Sequence, residues 1–138
     1  MSTIWISDAQ ELIYTIAKTR AKNNLIATFP DILFTRDSES QTSTHFPTVF
    51  IHFLPYAELN PDLDGSDVNG FICGLQLDVI TSKAQGRKAA GRIMYEVIDQ
   101  FKRLRFRLLS SPEFLVTGND TKRIVARLQR NLGSGDIL

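Results

Sequence analysis

The sequence predicts an α+β domain: a mostly antiparallel sheet with two amphipathic helices packed on it. The first observation behind this is strict alternation from Phe71 onward. Phe71, Cys73, Leu75, Leu77 and Val79 share one face, while Ile72, Gly74, Gln76, Asp78 and Ile80 share a half-polar one. That period of two marks a strand with one face on a core. The second is the change of period after Thr81 to Gly86. Ala89, Ala90, Ile93, Met94, Val97, Ile98, Phe101 and Leu104 recur at helical spacing, with charges behind them. Such a helix and such a strand most simply cover each other. The third is the order of the remaining elements, which reads α, weak β, β, β, α, β, β.

The opening helix is expected to begin just after Ser7. Ser7 followed by Gln10 fits a capping box, with Asp8 and Glu11 in the first turn, where the helix dipole favours acids. Ala9, Leu12, Ile13, Ile16 and Ala17 would be its buried stripe. Lys18, Arg20 and Lys22 crowd its end, Asn23 and Asn24 would terminate it, and Trp5 and Ile6 would act as a staple outside it.

Leu25 to Thr28 and Ile32 to Thr35 are short apolar pieces split by Pro30, at most irregular or edge strands. Arg36 to His45 reads as an exposed loop ended by Phe46-Pro47. Thr48 to Leu54 is β-branched and aromatic, apolar on both faces, and so predicts a central or doubly covered strand. Pro55 to Asn69 carries Glu58, Asp62, Asp64 and Asp67 with no basic residue. It is far longer than a hairpin turn needs and reads as a functional acidic arm. After the second helix, Arg107 to Leu109 and Glu113 to Thr117 look extended but broken by Ser110-Ser111-Pro112. Gly118-Asn119-Asp120 is a turn. In Lys122 to Leu132, Ile124, Ala126 and Leu128 point inward. A loose tail is expected from Gly133 to Leu138.

At 138 residues, 43% hydrophobic and 22% charged, the chain is one ordinary globular domain by expectation. The apolar run at the N-terminus spans only Thr3 to Ile6, so no signal peptide of the usual kind is expected. No stretch approaches the ~18 apolar residues of a membrane span. The single cysteine, Cys73, reads as a buried structural thiol suited to a reducing compartment. These features predict a soluble, intracellular protein.

The net charge of +1 hides an asymmetry. Between Asp37 and Ser82 there are seven acids and no Lys or Arg, whereas from Lys83 to the end twelve bases face five acids. That segregation is either an accident of folding or a negative and a positive side suited to docking.

Motifs for chemistry are weak. His45 and His52 lack partners at metal-ligand spacing. Asp62-Leu63-Asp64-Gly65-Ser66-Asp67 puts its glycine at position four instead of six, which rejects an EF-hand and leaves at most an adventitious cation site. No G-x-S-x-G elbow occurs, and Gly86-Arg87-Lys88 lacks the rest of a P-loop. Arg87, Lys88, Arg92, Lys102, Arg103, Arg105 and Arg107 could form a nucleic-acid surface. Glu96 and Asp99 interrupt them and the pI is only 7.9, so a solvated helix face is the more economical reading.

The layout resembles the tail terminator (tail-completion) proteins of long-tailed bacteriophages. The resemblance rests on the opening helix, the Pro-flanked strand Phe46-Pro47-Thr48-Val49-Phe50-Ile51 and the long variable arm. It continues with the strand Gly70 to Thr81, the helix Lys88-Ala89-Ala90-Gly91-Arg92-Ile93-Met94-Tyr95-Glu96-Val97-Ile98, and an Arg-bearing C-terminal strand. It covers nearly the full chain, Phe46 to Leu104 most closely, and is one of layout rather than of an exclusive motif.

What the resemblance implies is a structural role without catalytic residues or cofactor. Such a protein forms a hexameric ring on the last ring of the tail tube, stops polymerisation and presents a surface to the head. Implied partners are further copies of the chain, the major tail tube protein and a head-side connector protein. DNA is met only transiently in the channel, and no membrane is involved. The implied location is the tail-neck junction of the virion, with the host cytoplasm during assembly. Glu58, Asp62, Asp64 and Asp67 against Arg87, Lys88, Arg92, Arg103 and Arg105 are the candidate subunit or tube contacts. Another neck component, such as a head-tail connector, and a small nucleic-acid-binding domain are the alternatives.

Overall fold

The computed structural model describes residues 4–36, 46–59, 70–115, 120–133 and 136. In chain order the elements are α1 (Ile4–Leu25), β1 (Leu33–Thr35), β2 (Thr48–Phe53), β3 (Ala57–Leu59), β4 (Gly70–Ser82), α2 (Gly86–Arg103), β5 (Arg107–Leu115) and β6 (Thr121–Gly133). The strands form one sheet in the order β1-β2-β4-β6-β5, with β3 also on β4. Every pairing is antiparallel except β1 with β2. The α+β architecture expected from the sequence is the one observed.

The centre of the sheet is the β4–β6 ladder, paired without interruption from Gly70↔Gly133 to Ser82↔Thr121. Thirteen residues at about 3.3 Å each make a ribbon roughly 40 Å long. Strict alternation aims Phe71, Cys73, Leu75, Leu77 and Val79 at the helices, beside Ile124, Ala126, Leu128 and Leu132 of β6. These residues, Val49 and Ile51 of β2 and the buried stripes of both helices form one core cluster. The helix α2 contributes Ala90, Ile93, Met94, Val97, Ile98 and Phe101 to it. Asn24 Nδ2 donates to Glu96 Oε1 at 2.7 Å and ties the two helices together.

Several expectations need correction. The first helix starts at Ile4, so Ser7 is an exposed helical residue rather than a cap. Tertiary packing overrides the local cap signal. The Trp5 ring meets Phe71 edge-on at 5.5 Å and Ile6 is buried, which draws that turn onto the core. Leu12 is half exposed because the stripe runs through Ile13, Ala17, Ala21 and Leu25, about 100° away around the helix. The helix ends at Leu25, past both asparagines.

The segment after β2 is not all arm. Leu54 N–H donates to Gly74 O, and Ala57 to Leu59 rejoin β4 as β3. Between Phe53↔Leu75 and Ala57↔Ile72, four steps on one side oppose three on the other, a bulge-like shift that bends the strand. Ser110-Ser111-Pro112 does not break β5. The strand absorbs it through register shifts against β6, which an edge strand tolerates because its outer side needs no partner. Beyond β6, Gly133 N–H donates to Asp136 Oδ2 at 2.7 Å and Asp136 N–H donates back to Gly133 O at 3.1 Å.

A candidate functional cleft at the C-terminal end of α2

The nine charged residues singled out from the sequence do not form one surface. Asp62, Asp64 and Asp67 lie outside the described residues. Glu58 is exposed on β3, opposite Phe71. Arg87, Lys88 and Arg92 are exposed in the first half of α2, where the Arg87 guanidinium lies 4.3 Å above the Phe114 ring. Arg103 and Arg105 are exposed at its other end. At about 1.5 Å per residue, roughly 16 Å of helix separates Arg92 from Arg103 and roughly 24 Å separates Arg87 from Arg103.

The connection before α2 fixes which end is which. Thr81 Oγ1 donates to Gly86 O at 2.9 Å, so α2 starts beside the end of β4. At the far end Arg130 Nη1 donates to Leu104 O at 2.8 Å, and Arg130 is paired with Cys73 in the sheet. Glu58, Arg103 and Arg105 therefore share one end of the molecule, and Arg87, Lys88 and Arg92 belong to the other.

At that shared end the chain builds a cleft of about 460 Å³ lined by Arg105, Arg107, Gln129, Arg130, Asn131 and Asp136. Three arginines and one aspartate are among these lining residues, and the register sets Arg107 with Gln129 on the sheet face opposite to Arg130. The Arg130 side chain is 8% exposed, which matters because a guanidinium so buried requires partners. Besides Leu104 O it has Asp136, whose Oδ2 lies 3.8 Å from Nη2, an ion pair longer than a hydrogen bond. Beneath the cleft, burial pushes the Cys73 thiol up to about 12, with the Arg130 charge pulling the other way. The thiol is therefore held neutral, which suits packing rather than nucleophilic chemistry.

Arg105 itself sits in an unusual conformation. The end of α2 closes with Arg105 N–H to Lys102 O and Phe106 N–H to Phe101 O, the paired bonds of a Schellman motif. That motif places its penultimate residue in the left-handed region, and Arg105 has φ 67°. It is the one non-glycine residue with positive φ among those described. Glycine is the usual occupant, because a Cβ there costs about 1–2 kcal/mol.

A second polar cluster lies on the sheet face turned away from the helices. Arg123 Nη2 donates to Asp78 Oδ2 at 2.8 Å, Gln76 Nε2 to Asp78 Oδ1 at 3.2 Å, and Arg127 Nε to Gln76 Oε1 at 3.1 Å. Asp78 is 4% exposed, so its charge is stabilised by the Arg123 guanidinium and the Gln76 amide. This ladder explains the polar members of the alternating strand as cross-strand partners of β6.

Sequence reasoning missed Arg130 and Asp136 as site residues. A signal for Arg130 existed, since it continues the inward series Ile124, Ala126, Leu128 at the next even position. No signal marked Asp136. Among the described residues no group of three or more His, Cys, Asp or Glu could hold a metal ion. His52 is exposed on β2 and His45 lies outside the described residues. No described helix is long and apolar enough to cross a membrane. No protein-family model matches the chain, and no curated protein matches it.

Proposed function

We propose that this chain is a tail terminator, a structural protein that forms a ring on the end of a phage tail tube and arrests its growth. The observation that carries the reading is the layout of the domain. An opening helix and a central helix cover one face of a sheet built on the strands 48–53, 70–82 and 121–133, in the order the resemblance led us to expect.

The edges of the sheet also support a ring. A closed ring needs two different patches on each subunit that fit one another. The sheet ends in two unlike edges: a three-residue parallel strand with exposed Leu33, and a nine-residue antiparallel strand with exposed Leu109 and Leu115. Edge strands of this kind are templates for association with another chain.

The test is native mass over a wide concentration range, with negative-stain images of the most concentrated sample and of the protein mixed with tail tubes. The expected result is a closed hexameric ring, free or seated on tube ends. Monomers that never associate with one another or with tube ends contradict the proposal.

A further inference from the structure

We propose that Arg36 is a latch on β1. With its contacts made, β1 stays closed on the edge of the sheet; breaking them frees the strand to open by itself, ahead of the rest of the fold. The inference does not rest on the tail-terminator reading. Its first support is how little backbone holds β1. The strand stands at one end of the sheet and makes three parallel pairs with β2, from Leu33↔Thr48 to Thr35↔Phe50. The β4–β6 ladder has thirteen. Elements held by few hydrogen bonds open at lower free energy than the centre of a domain. Burial of Ile32 and Phe34 keeps the closed form the ground state.

The second support is what gathers on Arg36, the residue directly after β1. Its guanidinium pairs with the Glu11 carboxylate of α1. It also lies over the rings of Tyr14 on α1 and Phe53 on β2, 5.3 Å from each centroid. One side chain thus ties the edge strand to a helix and to the next strand. The third support is the kind of contact. The Arg36 and Glu11 side chains are 36% and 61% exposed, so salt screens their pairing, whereas it leaves the buried contacts of Ile32 and Phe34 in place. Opening β1 uncovers the outer edge of β2, six residues long where β1 offers three. A longer free edge is the better template for an added strand, so the latch governs how much edge the sheet presents.

The test is amide hydrogen exchange of the full chain at a series of low urea concentrations. Leu33 N–H, which donates to Pro47 O at 3.0 Å, reports the opening of β1, and the amides of the β4–β6 ladder report unfolding of the domain. The expected result is exchange at Leu33 that is faster than in the ladder and depends only weakly on urea, because a local opening exposes little surface. Arg36→Ala should speed exchange at Leu33 about tenfold, the worth of two cation–π contacts and an exposed ion pair, and Glu11→Gln about threefold. Raising salt to 1 M should speed it about twofold in the wild type and leave Glu11→Gln unchanged. Lys22→Ala, which removes an exposed base elsewhere on α1, should have no effect at Leu33. Urea dependence at Leu33 as steep as in the ladder would show that β1 opens only with the whole domain. Exchange at Leu33 that is unaltered by Arg36→Ala, by Glu11→Gln and by salt would show that Arg36 does not hold the strand. Either result overturns the latch.

Discussion

The two ends of α2 each carry a residue with positive φ, and the sequence treats them oppositely. At the start, Gly86 has φ 76° and the chain supplies the residue that adopts it without strain. Around it the turn is closed by side chains. Ser82 N–H donates to Gln85 Oε1, Gln85 N–H to Ser82 Oγ, and Gln85 Nε2 to Phe46 O. At the far end Arg105 takes the same kind of conformation with a long charged side chain, beside an open cleft. One end is arranged for folding. The other accepts strain where it places a charge.

The largest effect expected from disturbing this contrast is at the open end. Arg130→Ala removes a buried charge-assisted hydrogen bond and leaves Leu104 O without its donor. It should lower stability by about 2–3 kcal/mol, read from denaturant midpoints. A loss no greater than that of an exposed arginine would mean that this end is not held by Arg130.

Cys73, under the same end, gives a pH signature. Its folded pKa is raised to about 12, above the usual thiol value. Below the unfolded pKa of about 8.5 both states keep the proton and the full stability is present. As pH rises toward 12 only the unfolded state ionises. Stability should then fall by up to about 1.4 kcal/mol per pH unit. The difference between the wild type and Cys73→Ala across that range isolates the effect, and parallel curves would show a thiol that ionises freely in the fold.

Gly86→Ala and Arg105→Gly form a mirrored pair. A Cβ at position 86 meets nothing within 4 Å, so its cost is backbone strain alone, about 1 kcal/mol of lost stability. Arg105→Gly should gain about 0.5–1 kcal/mol, because relief of strain exceeds the lost interaction with the helix dipole. Both shifts are measurable as thermal midpoints. If the two variants moved in the same direction, the contrast between the ends would be wrong.

How legible these features were follows from what each depends on. The alternation of β4 and the stripe of α2 could be read directly, because burial on one face imposes a period that local sequence must carry. The start of α1 could not, since Trp5 and Ile6 join the helix by contact with a strand 65 or more residues away. The continuity of β5 through Pro112 was hidden for a similar reason: only its place at the sheet edge makes the irregularity harmless. Arg103 and the cleft residue Arg105 read from the sequence as one charged group with Arg87, Lys88 and Arg92, because spacing along a helix does not reveal which end faces what. The strain at Arg105 left no trace in the sequence. A helix ending without glycine gives no warning that a left-handed residue follows.

The most direct test of the functional account is the length distribution of tail tubes polymerised in vitro with this protein present. A tail terminator should give tubes that stop short, with the protein found at one end only and at a fixed ratio to tube ends. Tubes that grow to the same lengths with and without the protein, and carry none of it at their ends, would contradict it.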